Sequence, residues 1–94
     1  MEIKVEFAGL SRVITHDRSL SLTLDDDATY RDILHILADT YPDLVGNVIH
    51  PSCESLQSSN MLNLNGKRMI SAAKMNETPS EGDRLILMSV LAGG

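Results

Sequence analysis

Polar and apolar residues alternate strictly at the start of the chain, with Ile3, Val5 and Phe7 set against Glu2, Lys4 and Glu6. A period of two marks a half-buried strand. A second alternation, Leu20, Leu22 and Leu24 against Ser19, Ser21 and Thr23, predicts another strand. The stretch between them, opened by Gly9 and closed by polar residues up to Arg18, reads as a hairpin-sized connection, so the two strands should pair antiparallel. The period then lengthens to about 3.6. Tyr30, Ile33, Leu34, Leu37 and Tyr41 share one face with Ala38 beside them, and Arg31, Asp32, His35 and Asp39 take the other. Thr29 and Asp32 have the spacing of a capping box. Asp25, Asp26 and Asp27 stand just before the start, where the helix dipole favours negative charge. Pro42 ends the run, because the residue before a proline is pushed out of the α region. The pattern predicts one amphipathic helix of about three turns.

Beyond it the signal weakens. Leu44, Val45, Val48 and Ile49 fit one short helical turn, which Gly46 and Pro51 interrupt; Ser52, Ser55, Ser58 and Ser59 suggest a mobile loop. Met61 to Ile70 carries Asn65-Gly66 between apolar residues, a strong hairpin signal because both favour positive φ. Glu81-Gly82-Asp83 is a turn, and Arg84 to Leu91 is apolar at nearly every position, as in a central strand covered on both faces. One helix covers one face of one sheet, so the expected architecture is a two-layer α+β domain with the first and last strands at its centre. If Leu85 and Leu87 face the helix, Ile86, Met88 and Val90 face the other way. What a single helix leaves uncovered there is an apolar patch of the kind partners use.

Composition narrows the function. Ninety-four residues, 43% hydrophobic and 22% charged, make one ordinary globular domain. A net charge of −5 argues against nucleic acid, whose phosphates call for clustered Lys and Arg, and suits encounter with a basic protein surface. Cys53 is alone, which excludes an internal disulfide and suits a reducing cytoplasm. Met1 to Glu6 has no apolar signal core and no run approaches membrane-spanning length, so no membrane partner is expected. No constellation makes an active site. Cys53 lacks an evident base, and His50 and Cys53 have metal-like spacing without two further ligands nearby. The three aspartates lack the spaced ligands and glycine of a calcium loop. His35 falls on the polar helix face as a surface residue. Met61, Met69, Met75 and Met88 fit core gaps or an adaptable surface better than a cofactor site. Without a phosphate-binding loop the chain should not bind ATP by itself. No catalytic residue, metal or cofactor is expected, and the chain does not read as an enzyme.

The remaining feature is the pair Gly93-Gly94. Glycine packs nothing and costs the most backbone entropy to order, but it can lie extended in a narrow groove with no Cβ in the way. The pieces Ile3 to Leu10, Leu22 to Tyr41 closed by Pro42, Leu64-Asn65-Gly66, Glu81-Gly82-Asp83 and Leu91-Ala92-Gly93-Gly94 follow one another in an order that resembles the ubiquitin-like β-grasp proteins. In particular the chain resembles the prokaryotic sulfur carriers: the molybdopterin synthase small subunit, the thiamine-pathway sulfur carrier and the archaeal small ubiquitin-like modifiers. The resemblance implies a β-grasp domain over residues 1–91, with a mixed four- to five-stranded sheet and one main helix across one face, and a flexible tail over 92–94. It implies a carrier whose Gly94, preceded by Gly93, is adenylated by an E1-like ATP-dependent enzyme. The activated end then becomes a thiocarboxylate for a sulfur-acceptor enzyme, or an isopeptide on a lysine-bearing target. Leu91-Ala92 lacks the arginines found before the diglycine of ubiquitin, so an E1 of the eukaryotic ubiquitin type is not the expected partner. Partner binding is expected at Ile86, Met88, Val90, Leu91 and Ala92. The competing reading is a β-grasp interaction module whose diglycine is incidental.

Overall fold

The computed structural model describes residues 1–57 and 59–89. Five strands form one mixed sheet: β1 (Glu2–Phe7), β2 (Ser19–Thr23), β3 (Asn60–Leu64), β4 (Arg68–Ile70) and β5 (Arg84–Ser89), in the order β2-β1-β5-β3-β4. β5 is central, and the first strand lies parallel beside it with Val5 opposite Leu85 and Phe7 opposite Leu87. All other pairings are antiparallel. The hydrophobic alternation fixes these registers, because a one-residue slip would turn every apolar side chain to the wrong face.

Two α-helices, α1 (Leu10–Thr15) and α2 (Tyr30–Thr40), accompany the sheet. In α2 the apolar stripe is buried as its spacing predicts: Tyr30, Ile33, Leu34, Leu37 and Ala38 pack with Ile3, Val5, Phe7, Leu62, Leu64, Leu85 and Leu87 in one core. Both halves of the capping box form: the Thr29 N–H donates to Asp32 Oδ2 at 2.9 Å and the Asp32 N–H donates to Thr29 Oγ1 at 3.2 Å. Hydrogen bonding from the Thr29 backbone first, and then from the Thr29 side chain, holds the Asp32 carboxyl below the usual carboxylate range. At the far end the Tyr41 ring meets Phe7 edge to face, 5.3 Å between centroids. Burial first, and then donation of its hydroxyl to Asp17 Oδ2 at 2.7 Å, push Tyr41 up to about 12.

Three sequence expectations need correction. The Gly9–Arg18 connection is not a plain hairpin loop, since it holds α1. Its polarity is inverted: Ser11 and Thr15 are buried, while Leu10 is 41% and Val13 67% exposed. The stretch after Asp43 is not simply a loop lying on the core, since it contributes three side chains to it. A 3-10 turn at Pro42–Leu44 leads in, Leu44, Val48 and Ile49 are fully buried, and Ile49 bridges to both Val45 and Leu56. The run from His50 to Gln57 is pinned by the bonds Cys53 N to His50 O (2.7 Å), His50 N to Ser55 O (2.9 Å) and Gln57 N to Val48 O (2.8 Å). Finally, β5 is covered on one face only. Leu85 and Leu87 are buried, whereas Ile86 and Met88 are half-buried, because both helices lie on the same side.

Candidate functional site

The uncovered face of the sheet has two unlike halves. Register sets its members. On β1 and β2, Glu2, Lys4 and Glu6 stand opposite Thr23, Ser21 and Ser19. On β5, Arg84, Ile86 and Met88 point the same way, with Asn63 of β3 opposite Ile86 and Met61 opposite Met88. Met69 of β4 completes the row opposite Asn63. One half is therefore polar, and the other is a largely apolar field of Ile86, Met88, Met61 and Met69 around Asn63. Arg84 marks the seam, with its Nε 3.6 Å from Glu6 Oε2.

The apolar half is adaptable. Met69 is 46% exposed, Met61 and Met88 are half-buried, and the Asn63 amide donates to Met69 Sδ at 3.6 Å. Thioethers on unbranched stems re-pack easily, so the surface can change shape at little cost. Of the methionines weighed in the sequence, Met75 alone lies in the core, at 4% exposure. Round the end of β4 the field runs into a cavity of about 250 Å³ lined by Leu56, Met61, Met69, Ile70 and Met75 among others. Nothing in the sequence pointed to that cavity, because Leu56 and Met75 reach it from separate irregular segments.

Of the expected partner-binding residues, Ile86 and Met88 thus stand together on the open face. Val90, Leu91, Ala92, Gly93 and Gly94 lie outside the described residues. The other chemistry weighed in the sequence does not assemble. His35 is exposed on α2, its Nε2 3.3 Å from Glu54 Oε2, the same oxygen that Arg31 Nε approaches at 3.2 Å. His50 Nδ1 accepts from the Ser52 N–H at 3.1 Å, and the Cys53 thiol lies 3.9 Å from the Pro51 carbonyl. Among the described residues no group of three His, Cys, Asp or Glu comes together to hold a metal. Among them, too, no helix is long and apolar enough to cross a membrane.

No family model matches the chain. It is 30% identical to small archaeal modifier protein 3 of Haloferax volcanii over 94 residues, spanning all of both chains. It superposes on the crystal structure of SAMP1 from the same organism with a TM-score of 0.82 at 23% identity, again over all of both. A complex of subunits 1 and 2 of the molybdopterin-converting factor from Helicobacter pylori contains a chain that matches with a TM-score of 0.62 at 19% identity, over the full length of each. These likenesses agree with the β-grasp arrangement of sheet and helices. On its full-length kinship with a curated modifier, the chain belongs to the small archaeal modifier protein family.

Proposed function

We propose that this protein is a ubiquitin-like carrier, docked through the apolar half of its open sheet face and activated at Gly94 by an E1-like adenylating enzyme. One observation carries the reading: the docking field and the diglycine belong to one run of chain. Met88 sits on the central strand and Gly94 follows six residues later, about 20 Å of extended backbone at ~3.3 Å per residue. A partner held on Ile86 and Met88 has the glycines within reach of its own active site. Family membership supports the carrier role, and the matched subunit of the molybdopterin-converting factor, itself seen in a protein complex, supports a role that depends on partners.

The chemistry requires little of this chain. A carboxylate is a poor electrophile at neutral pH. Attack of its oxygen on the α-phosphorus of ATP forms an acyl-adenylate and expels pyrophosphate, and the acyl carbon then carries a good leaving group. Hydrosulfide-level sulfur from a donor breaks the bond to AMP and leaves a thiocarboxylate; a lysine amine leaves an isopeptide. Neither displacement changes an oxidation state. The charge stabilisation these steps need resides in the partner, so the chain acts as carrier rather than catalyst, and the cytoplasm is the natural setting. Slim backbone at 93 and 94 is what a narrow active-site channel requires.

Intact-mass measurement on protein recovered from its native cell tests the reading. A species heavier by one oxygen-to-sulfur exchange identifies sulfur transfer, and a Gly-Gly remnant on lysines of digested cellular proteins identifies conjugation. Deleting Gly94 should abolish both without moving thermal stability. If neither product appears and the deletion behaves as wild type, the chain is an interaction module instead.

A further inference from the structure

The parallel partnership between β1 and β5 ends at Phe7 and Leu87, while β5 runs on to Ser89 with β3 on its other side. The turn from Ala8 to Ser11 takes over where β1 leaves off. The Ala8 N–H donates to the Leu87 carbonyl at 3.1 Å, and the hydroxyl of Ser11, buried to 1% exposure, donates to the same oxygen at 2.6 Å. The Leu10 N–H donates to Ser89 Oγ at 3.2 Å. Gly9 makes the close approach possible: its φ is +67°, and a Cβ there would sit 2.3 Å from Ser89 Oγ. These bonds explain why Ser11 is buried on α1 while Leu10 and Val13 are not, since the helix start serves the strand end rather than a hydrophobic stripe.

We propose that Gly9 and Ser89 are positioning residues, clamping the end of β5 at Ser89 so that Gly94 is delivered efficiently to the adenylating partner. The proposal rests on activation at Gly94. Docking on Ile86 and Met88 sets affinity, and the clamp sets how often a docked molecule offers its end in a reactive position. Gly94 lies five residues beyond Ser89, about 17 Å of extended chain, so a frayed β5 end changes the region that the terminus samples.

The test uses the full chain as wild type, Ser89→Ala, Gly9→Ala and a Gly94 deletion. ATP–pyrophosphate exchange is measured with the protein's own E1-like enzyme, and amide hydrogen exchange with each free protein. Ser89→Ala should lose protection at the Leu10 amide. Its kcat should fall about fivefold, the equivalent of one ordinary hydrogen bond, with KM unchanged. Gly9→Ala should fall further; if it does not fold, Ser89→Ala decides alone. Unchanged kcat in Ser89→Ala despite lost Leu10 protection, or a rise in KM instead, overturns the clamp while a dead Gly94 deletion leaves the activation reading standing. A Gly94 deletion that supports exchange like wild type overturns both.

Discussion

Ile86→Asp separates docking from folding. Ile86 lies on the open face between Glu6 of β1 and Asn63 of β3. An aspartate there sets a second carboxylate directly opposite Glu6, a cross-strand like-charge pair costing on the order of 0.2–1 kcal/mol. Arg84, already 3.6 Å from Glu6, offsets part of that cost. Ile86 is only half-buried, so little core contact is lost, and a domain stable by about 5–15 kcal/mol remains folded. Binding suffers more. Covering the remaining half of Ile86 under a partner contributes about 1 kcal/mol, and forcing a carboxylate into the same contact adds a desolvation penalty of about 1–3 kcal/mol. A loss of about 2–4 kcal/mol corresponds to about 30- to 700-fold in Kd. Titration calorimetry against the E1-like enzyme, with thermal melts by circular dichroism in parallel, measures both effects. Ser21→Asp, on the polar half of the same face, should bind within twofold of wild type. If Ile86→Asp folds and also binds within twofold, the apolar half is not the docking surface.

Ile49→Ala should cost about 2–5 kcal/mol in guanidinium denaturation followed by circular dichroism, because its side chain is fully buried; a cost under about 1 kcal/mol would mean that Ile49 is not part of the core. Asp32 gives a pH prediction. Its carboxyl is lowered by hydrogen bonding from Thr29, so it stabilises the fold above the unfolded value of about 3.8, and that contribution fades as pH falls through the depressed value. Asp32→Asn should therefore lower the melting temperature at neutral pH and flatten the acid-side decline, and identical curves for the two proteins from pH 7 to 2 would refute the assignment.

The elements that the sequence made legible are those whose burial is periodic. β1, β2, α2 and the β3–β4 hairpin follow from alternation, from helical spacing with a real capping box, and from Asn65-Gly66, both residues of which take positive φ. Counting helices predicts an apolar patch of Ile86, Met88 and Val90 facing away from the helix. Ile86 and Met88 do stand half-buried on the open face, although the unbroken apolar run of β5 suggested cover on both sides, and Val90 lies outside the described residues. α1 was missed because what it buries is Ser11 and Thr15, held by hydrogen bonds that no hydropathy pattern encodes. The 43–60 stretch was misread for a related reason. Leu44, Val48 and Ile49 reach the core from tight turns, which have no period, and after them Ser52 Oγ accepts from the Glu54 N–H and the Ser55 carbonyl accepts from the His50 N–H. The apolar field of the open face was half legible: Ile86 and Met88 come from one strand, but Met61 and Met69 join them only through register.

The place of β5 has a consequence for how the chain comes into being. The strand at the centre of the sheet is the last described element in sequence, and its parallel partner is the first, with Lys4 opposite Arg84. Until residues up to Ser89 have been synthesised, the N-terminal hairpin and the β3–β4 hairpin share no strand, and the core leucines 85 and 87 are missing. Pairing of such separation closes late, since long loops must shut before any contact compensates for them. An unfinished chain therefore has neither a stable sheet nor the proposed docking field, because Ile86 and Met88 arrive on the same strand that completes the fold. Assembly of the domain and readiness for its partner are one event, and a nascent or truncated copy has nothing to present.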